Sequence, residues 1–115
     1  MNNIKSIIKE ITDNNQIKSV YFVGCGASRS DLYPAYYFLN KEAKQLRTSI
    51  QTANEFIYAT PVAVDETAIV ITCSLGGNTP ESVQATTHAK QLGANIIAVT
   101  HEKDSALTKD ADYTV

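Results

Sequence analysis

The stretch Cys73-Ser74-Leu75-Gly76-Gly77-Asn78-Thr79-Pro80-Glu81 decides how this chain folds. It follows Ala68-Ile69-Val70-Ile71, an apolar run rich in β-branched residues that suits a strand buried on both faces, as in a parallel sheet. A helix is expected next. Pro80 fits the first helical position, where a missing N–H costs nothing, and Thr79 fits the N-cap. Between strand and helix lie two glycines and the hydrogen-bonding side chains of Ser74, Asn78 and Thr79, so backbone N–H groups should converge beside two hydroxyls. Such a socket takes an anion, most often a phosphate. A short polar loop of this kind also serves as an ordinary strand-to-helix connection. The loop alone leaves both readings open.

Upstream, Ser19-Val20-Tyr21-Phe22-Val23 reads as a strand that runs into Gly24-Cys25-Gly26-Ala27-Ser28-Arg29-Ser30-Asp31. The pattern is G-x-G-x-x-R. Arg29 stands where a dinucleotide fold needs a third glycine, and no acidic residue closes the next strand, Arg47 to Thr52, to hold a ribose. A nicotinamide or flavin site is therefore rejected. What remains is a tight turn in which Gly26 lets backbone approach a ligand and Ser28 and Ser30 offer hydroxyls at a helix start. Four of the five glycines sit in these two loops, after the first and third strands. In a doubly wound sheet of order 2-1-3-4-5 those strands flank the switch point, so both loops face one crevice. Either loop has a structural excuse by itself; their convergence points to an anionic ligand.

The remaining elements follow by periodicity. Ile4, Ile7, Ile8 and Ile11 make an amphipathic N-terminal helix ended by Asn14 and Asn15. Leu32, Ala35, Tyr36, Leu39 and Ala43 mark a helix after the first loop, with Tyr33, Tyr37 and Phe38 off its apolar stripe as a candidate subunit contact. Thr52 or Asn54 caps a short helix through Tyr58, in which Glu55 is either a dipole-stabilising carboxylate or a general base. From Pro80 the helix shows Val83, Thr86, Ala89, Lys90 and Leu92 and stops at Gly93. Asn95 to Thr100 is another buried strand, followed by His101, a helical turn over 105–109, and a fifth strand opening at Tyr113.

Composition narrows the function classes. The chain has 115 residues, 43% of them hydrophobic and 19% charged, the balance of one soluble globular domain. A net charge of -2 with scattered lysines offers no basic stripe, which argues against nucleic-acid binding. Apolar runs are only strand-sized, so no membrane partner is expected and the cytoplasm is the expected location. Cys25 and Cys73 are too few for a disulfide scaffold and have no ligand-spaced His or acidic neighbours; both read as buried, reduced thiols, and no metal is expected.

Val23-Gly24-Cys25-Gly26-Ala27-Ser28, Ala53-Asn54-Glu55-Phe56, Ser74 to Glu81 and Ser105-Ala106-Leu107-Thr108 together resemble the sugar isomerase (SIS) domain. The likeness runs from Ile17 to Val115, in order and at matching spacing. Within that family the chain is similar to the isomerase half of glucosamine-6-phosphate synthase and, more closely, to fructosamine deglycases, which carry two such domains in tandem. The resemblance implies a three-layer α/β/α fold on a five-stranded parallel sheet, cut at its fifth strand. Residues 1–16 would be an added helix and 17–115 the first domain of the pair. It also implies a phosphosugar as small-molecule partner. No cofactor is expected, and a sheet ending at Val115 without its covering helix should leave apolar surface, which favours a homodimer. By position Ser74 and Thr79 with the amides of Gly76 and Gly77 would hold phosphate, while Gly26 and Ser28 would face the sugar. Ala27, Leu75, Gly76 and Asn78 replace a threonine, a glutamine, a serine and a glutamate of the synthase, which shifts work to backbone donors and favours the deglycase. In the family the catalytic Glu and His come from the second domain, and no catalytic residue is identified in this chain. Glu55, Glu81 and His101, the candidates at strand ends, each have a structural reading. A sensing module of a regulator and a ketose-aldose or synthase-like isomerase remain alternatives.

Overall fold

The computed structural model describes residues 2–14, 16–24, 36–37, 47–60, 64–74, 76, 79–100, 102 and 104–114. In chain order these form α1 (Asn2–Asn14), β1 (Ser19–Gly24), β2 (Arg47–Thr52), α2 (Ala53–Tyr58), β3 (Ala68–Cys73), α3 (Pro80–Gln91), β4 (Asn95–Val99), a single 3-10 turn (Ala106–Thr108) and β5 (Tyr113–Thr114). The strands make one five-stranded sheet in the order β2-β1-β3-β4-β5. Every pairing is parallel, with Ser19 opposite both Arg47 and Ala68, and Ile69 opposite Asn95. This is the order expected from the sequence. Among the described residues no helix is long and apolar enough to cross a membrane.

The two-residue period of the strands sorts side chains onto two faces, and each face is covered. Val20, Phe22, Ile69, Ile71, Cys73 and Ile97 point to one side, where Ile7 and Ile11 of α1 pack on them. Tyr21, Val23, Val70 and Ile96 point to the other, against Ala53 and Phe56 of α2 and Ala85 and Ala89 of α3. Tyr36 joins the first cluster, its ring edge-on to Phe22 at 6.1 Å. Tyr37 is 59% exposed, off the stripe as expected, whereas Tyr33 and Phe38 lie outside the described residues.

Two helix ends follow directly from their residues. Thr52, not Asn54, caps α2: its hydroxyl accepts from the Glu55 N–H at 3.1 Å while Glu55 Oε1 accepts from the Thr52 N–H at 3.0 Å, a reciprocal capping box. Gly93 ends α3 with φ of +88°. The Ala94 N–H reaches back to the Ala89 carbonyl at 3.2 Å and the Gly93 N–H to Lys90 at 3.0 Å, the paired bonds of a Schellman stop.

The buried face of α3 corrects the sequence reading. Ser82, Ala85, Thr86 and Ala89 are buried, while Leu92 is 38% exposed and Lys90 exposed, and Val83 is only half-buried. Small residues let the helix sit close to β3, and its hydroxyls find partners there. Thr86 Oγ1 lies 2.8 Å from the Ser82 carbonyl and 3.0 Å from Thr72 Oγ1, and the Ser82 hydroxyl donates to the Cys73 carbonyl at 3.3 Å. This polar seam fixes the start of α3 against the end of β3.

Candidate functional site

The chain passes from β1 to β2 on one side and then crosses to β3 on the other, so the strand order reverses between β1 and β3. Gly24 and Cys73 are in register at their C-terminal ends. The two glycine-bearing loops therefore leave the sheet side by side at one level. After β1 the chain goes to the α1 face, where Tyr36 packs; after β3 it goes to the opposite face, where α3 lies. Ligands of open α/β sheets gather in the crevice opened by such a divergence.

Ser74 is the first residue of that crevice. Its N–H donates to the Val99 carbonyl at 3.1 Å, which ties it to the end of β4, and its side chain is only 1% exposed. Its hydroxyl lies 2.8 Å from Thr79 Oγ1, and the Thr79 N–H approaches it at 3.4 Å. The loop is thus closed across its mouth by two hydroxyls. Thr79 has the extended backbone of an N-cap (φ -61°, ψ 116°) and Pro80 follows it in the helix, as expected. Its side chain makes no capping bond, which departs from the sequence reading: the hydroxyl turns toward Ser74 instead of the first turn of α3. Gly76 is exposed, and a methyl group added there would meet nothing within 4 Å, so there is room beside it. Two hydroxyls beside the positive end of a twelve-residue helix suit an anion.

The other expected site residues divide in two. Gly26, Ala27, Ser28, Leu75, Gly77 and Asn78, together with Cys25 and His101, lie outside the described residues. Of the rest, Glu55 is occupied in the capping box of α2, a structural task. Glu81 sits half-buried in the first turn of α3, where a carboxylate complements the helix dipole. Cys73 is 1% exposed among Ile69, Ile71 and Ile97, a small hydrophobe. The sequence reading missed the seam of Thr72, Ser82 and Thr86. It also missed His88, whose Nε2 lies 2.9 Å from the Thr60 hydroxyl and whose ring stands edge-on to Phe56 at 6.3 Å. The seam had a signal: Ser82, Ala85, Thr86 and Ala89 are small residues at i, i+3, i+4 and i+7.

A family model described as the SIS domain matches residues 15–115. The chain belongs to the SIS domain family. Over 97 residues this SIS domain is 42% identical to fructosamine deglycase FrlB of Bacillus subtilis, covering 84% of the chain and 30% of that protein. It is 31% identical over 97 residues to a glutamine–fructose-6-phosphate aminotransferase (isomerizing) of Clostridium tetani, covering 84% of the chain and 16% of that enzyme. A candidate phosphosugar isomerase of Salmonella typhimurium superposes with a TM-score of 0.90 at 39% identity, over 96% of this chain and 33% of that one. The SIS domain thus spans a third or less of the length of these relatives.

Proposed function

We propose that this SIS domain binds a phosphosugar in the crevice between the loops after β1 and β3, as part of a fructosamine-6-phosphate deglycase. The observation that carries the reading is the paired Ser74 and Thr79 hydroxyls, 2.8 Å apart at the start of α3, in the loop beside the one that leaves Gly24. On this reading Ser74 and Thr79 with the amides of Gly76 and Gly77 hold the phosphate. On the same reading Gly26 and Ser28 face the sugar, and Ala27, Leu75 and Asn78 complete the substrate-binding set. The N-terminal end of α3 adds about half a positive charge. Because the Thr79 hydroxyl is not spent on capping, it can turn to a phosphate oxygen at little cost to the helix.

The reaction takes a phosphorylated Amadori compound and water to glucose 6-phosphate and a free amine. It needs a proton moved between sugar carbons and water added to an imine, work for a general acid/base near neutral pKa. Glu55 is not assigned that work, because the capping box engages its carboxylate. We assign it to the remainder of a longer parent protein, with this domain holding and orienting the sugar and a homodimer as the working assembly. The 42% identity to a fructosamine deglycase supports this choice, and the 31% identity to an isomerizing aminotransferase supports the second reading, a synthase-like isomerase.

The parent protein decides between them. Incubated with a fructosyl-amine 6-phosphate it should release glucose 6-phosphate and amine in equal amounts. Interconversion of fructose 6-phosphate and glucose 6-phosphate, with the fructosyl-amine untouched, would replace the deglycase by the isomerase. Neither reaction would leave a binding module, as a regulator would carry.

A further inference from the structure

One of the side chains that hold the phosphate loop is buried out of a ligand's reach. The loop runs from Ser74, which follows β3, to Thr79, which precedes α3. Gly76 and Gly77 lie within it, and glycine has the most backbone freedom to lose on ordering. How firmly the two ends are fixed therefore decides how much ordering is left for a ligand to supply. The entry is fixed by the Ser74 N–H on the Val99 carbonyl at 3.1 Å, and the exit by the Val83 N–H on the Thr79 carbonyl at 3.0 Å.

Those bonds tie each end to its own neighbour, whereas two side-chain bonds tie the ends to each other. The first joins the Ser74 and Thr79 hydroxyls, 2.8 Å apart at the mouth of the loop. The second lies in the interior. Ser82, the third residue of α3, donates from its hydroxyl to the carbonyl of Cys73, the last residue of β3, at 3.3 Å. Ser82 is 0% exposed and Cys73 1%. The Ser82 main chain is braced separately, since its carbonyl accepts from the Thr86 hydroxyl at 2.8 Å, a bond that survives removal of the Ser82 side chain.

A phosphate acts on these two bonds differently. Its oxygens compete for the hydroxyl protons of Ser74 and Thr79, so the bond at the mouth is the one that opens as the anion enters. The buried Ser82 bond keeps its partner.

We propose that Ser82 is a positioning residue of the phosphosugar site. Its bond to Cys73 keeps the start of α3 against the end of β3 while Ser74 and Thr79 turn from each other to the phosphate. The role rests on the phosphosugar reading of the crevice. Without this hydroxyl the loop is looser before binding, and the ligand must order it, which lowers affinity.

The test is calorimetric titration of three chains with glucose 6-phosphate: the unaltered chain, Ser82→Ala and Gly93→Ala. Alanine is the best helix former, so Ser82→Ala keeps α3. Gly93→Ala strains the far end of the same helix and controls for lost stability alone. Ser82→Ala should bind about fivefold more weakly, the worth of one hydrogen bond, with the affinity of Gly93→Ala unchanged. Binding by Ser82→Ala as tight as that of the unaltered chain, or an equal loss in Gly93→Ala, would overturn the positioning role while the phosphosugar reading stands. No binding by the unaltered chain would overturn that reading and this role with it. Should Ser82→Ala fail to fold, Ser82→Cys, which fills the same place with a weak donor, decides by the same outcomes.

Discussion

Replacing Thr86 by valine tests whether α3 is seated on β3 as described. Thr86 and Thr72 are 1% and 0% exposed, and Thr86 Oγ1 lies within reach of both the Ser82 carbonyl and Thr72 Oγ1. The Thr86 hydroxyl donates to both, its one proton shared between the Ser82 carbonyl and Thr72 Oγ1. Valine keeps the shape and removes that donor. The Thr72 hydroxyl is then buried without a partner, which costs about 2 kcal/mol. Thr72→Val alone removes one acceptor and leaves Thr86 bonded to Ser82, a loss of about 1 kcal/mol. With both valines nothing is orphaned, so the double variant should lose about 1 kcal/mol and not the sum of about 3. For 115 residues the unfolding entropy is about 0.24 kcal/mol/K, so the Thr86→Val loss corresponds to a Tm lower by about 8 °C. Urea denaturation of the four proteins reads the cycle. Single losses that add to within about 0.5 kcal/mol would refute the shared hydrogen bond.

Gly93→Ala forces a side chain into φ of +88° and should cost about 1–2 kcal/mol, a Tm drop of about 4–8 °C in a thermal melt, with no effect on ligand affinity. Glu55→Ala breaks the capping box and should cost about 1 kcal/mol in denaturation while glucose 6-phosphate affinity is unchanged; an affinity that collapses would return Glu55 to the site. The Asp65 carboxyl is held below the usual carboxylate range, first by the Thr67 hydroxyl, then by the Thr67 N–H and the nearby charge of Lys18, with burial opposing them. Its folded pKa is thus below its unfolded value, so its contribution is present above about pH 4 and lost as pH falls through the folded value. The stability gap between wild type and Asp65→Asn, followed by urea denaturation across pH, should therefore narrow below about pH 4; a gap that widens there would contradict the assignment.

The sheet was legible because its strands announce themselves. Val20 to Val23, Ile69 to Ile71 and Ile96 to Val99 are runs of strand length rich in β-branched or aromatic residues, and Gly93 marks the one position with positive φ among the described residues. Side-by-side loops followed from topology alone, since adjacent parallel strands end together. The seating of α3 was not legible from hydropathy. Val83 and Leu92 are the most apolar residues of that segment, yet the close approach of helix to strand selects Ser82, Ala85, Thr86 and Ala89, and hydropathy does not count hydroxyls satisfied by Thr72 and Cys73. The Thr79 side chain misled for a related reason. An N-cap residue was identified correctly, but which partner its hydroxyl meets depends on Ser74, five residues away across the loop.

Calorimetric titration of the chain with glucose 6-phosphate, with glucose and inorganic phosphate as controls and repeated on Ser74→Ala, tests the central claim most directly. Binding that needs both sugar and phosphate, and that weakens about tenfold when the Ser74 hydroxyl is removed, is the predicted result. Equal binding by the Ser74→Ala variant, on a chain shown to be folded, would contradict the assignment of the crevice between β1 and β3 to a phosphosugar.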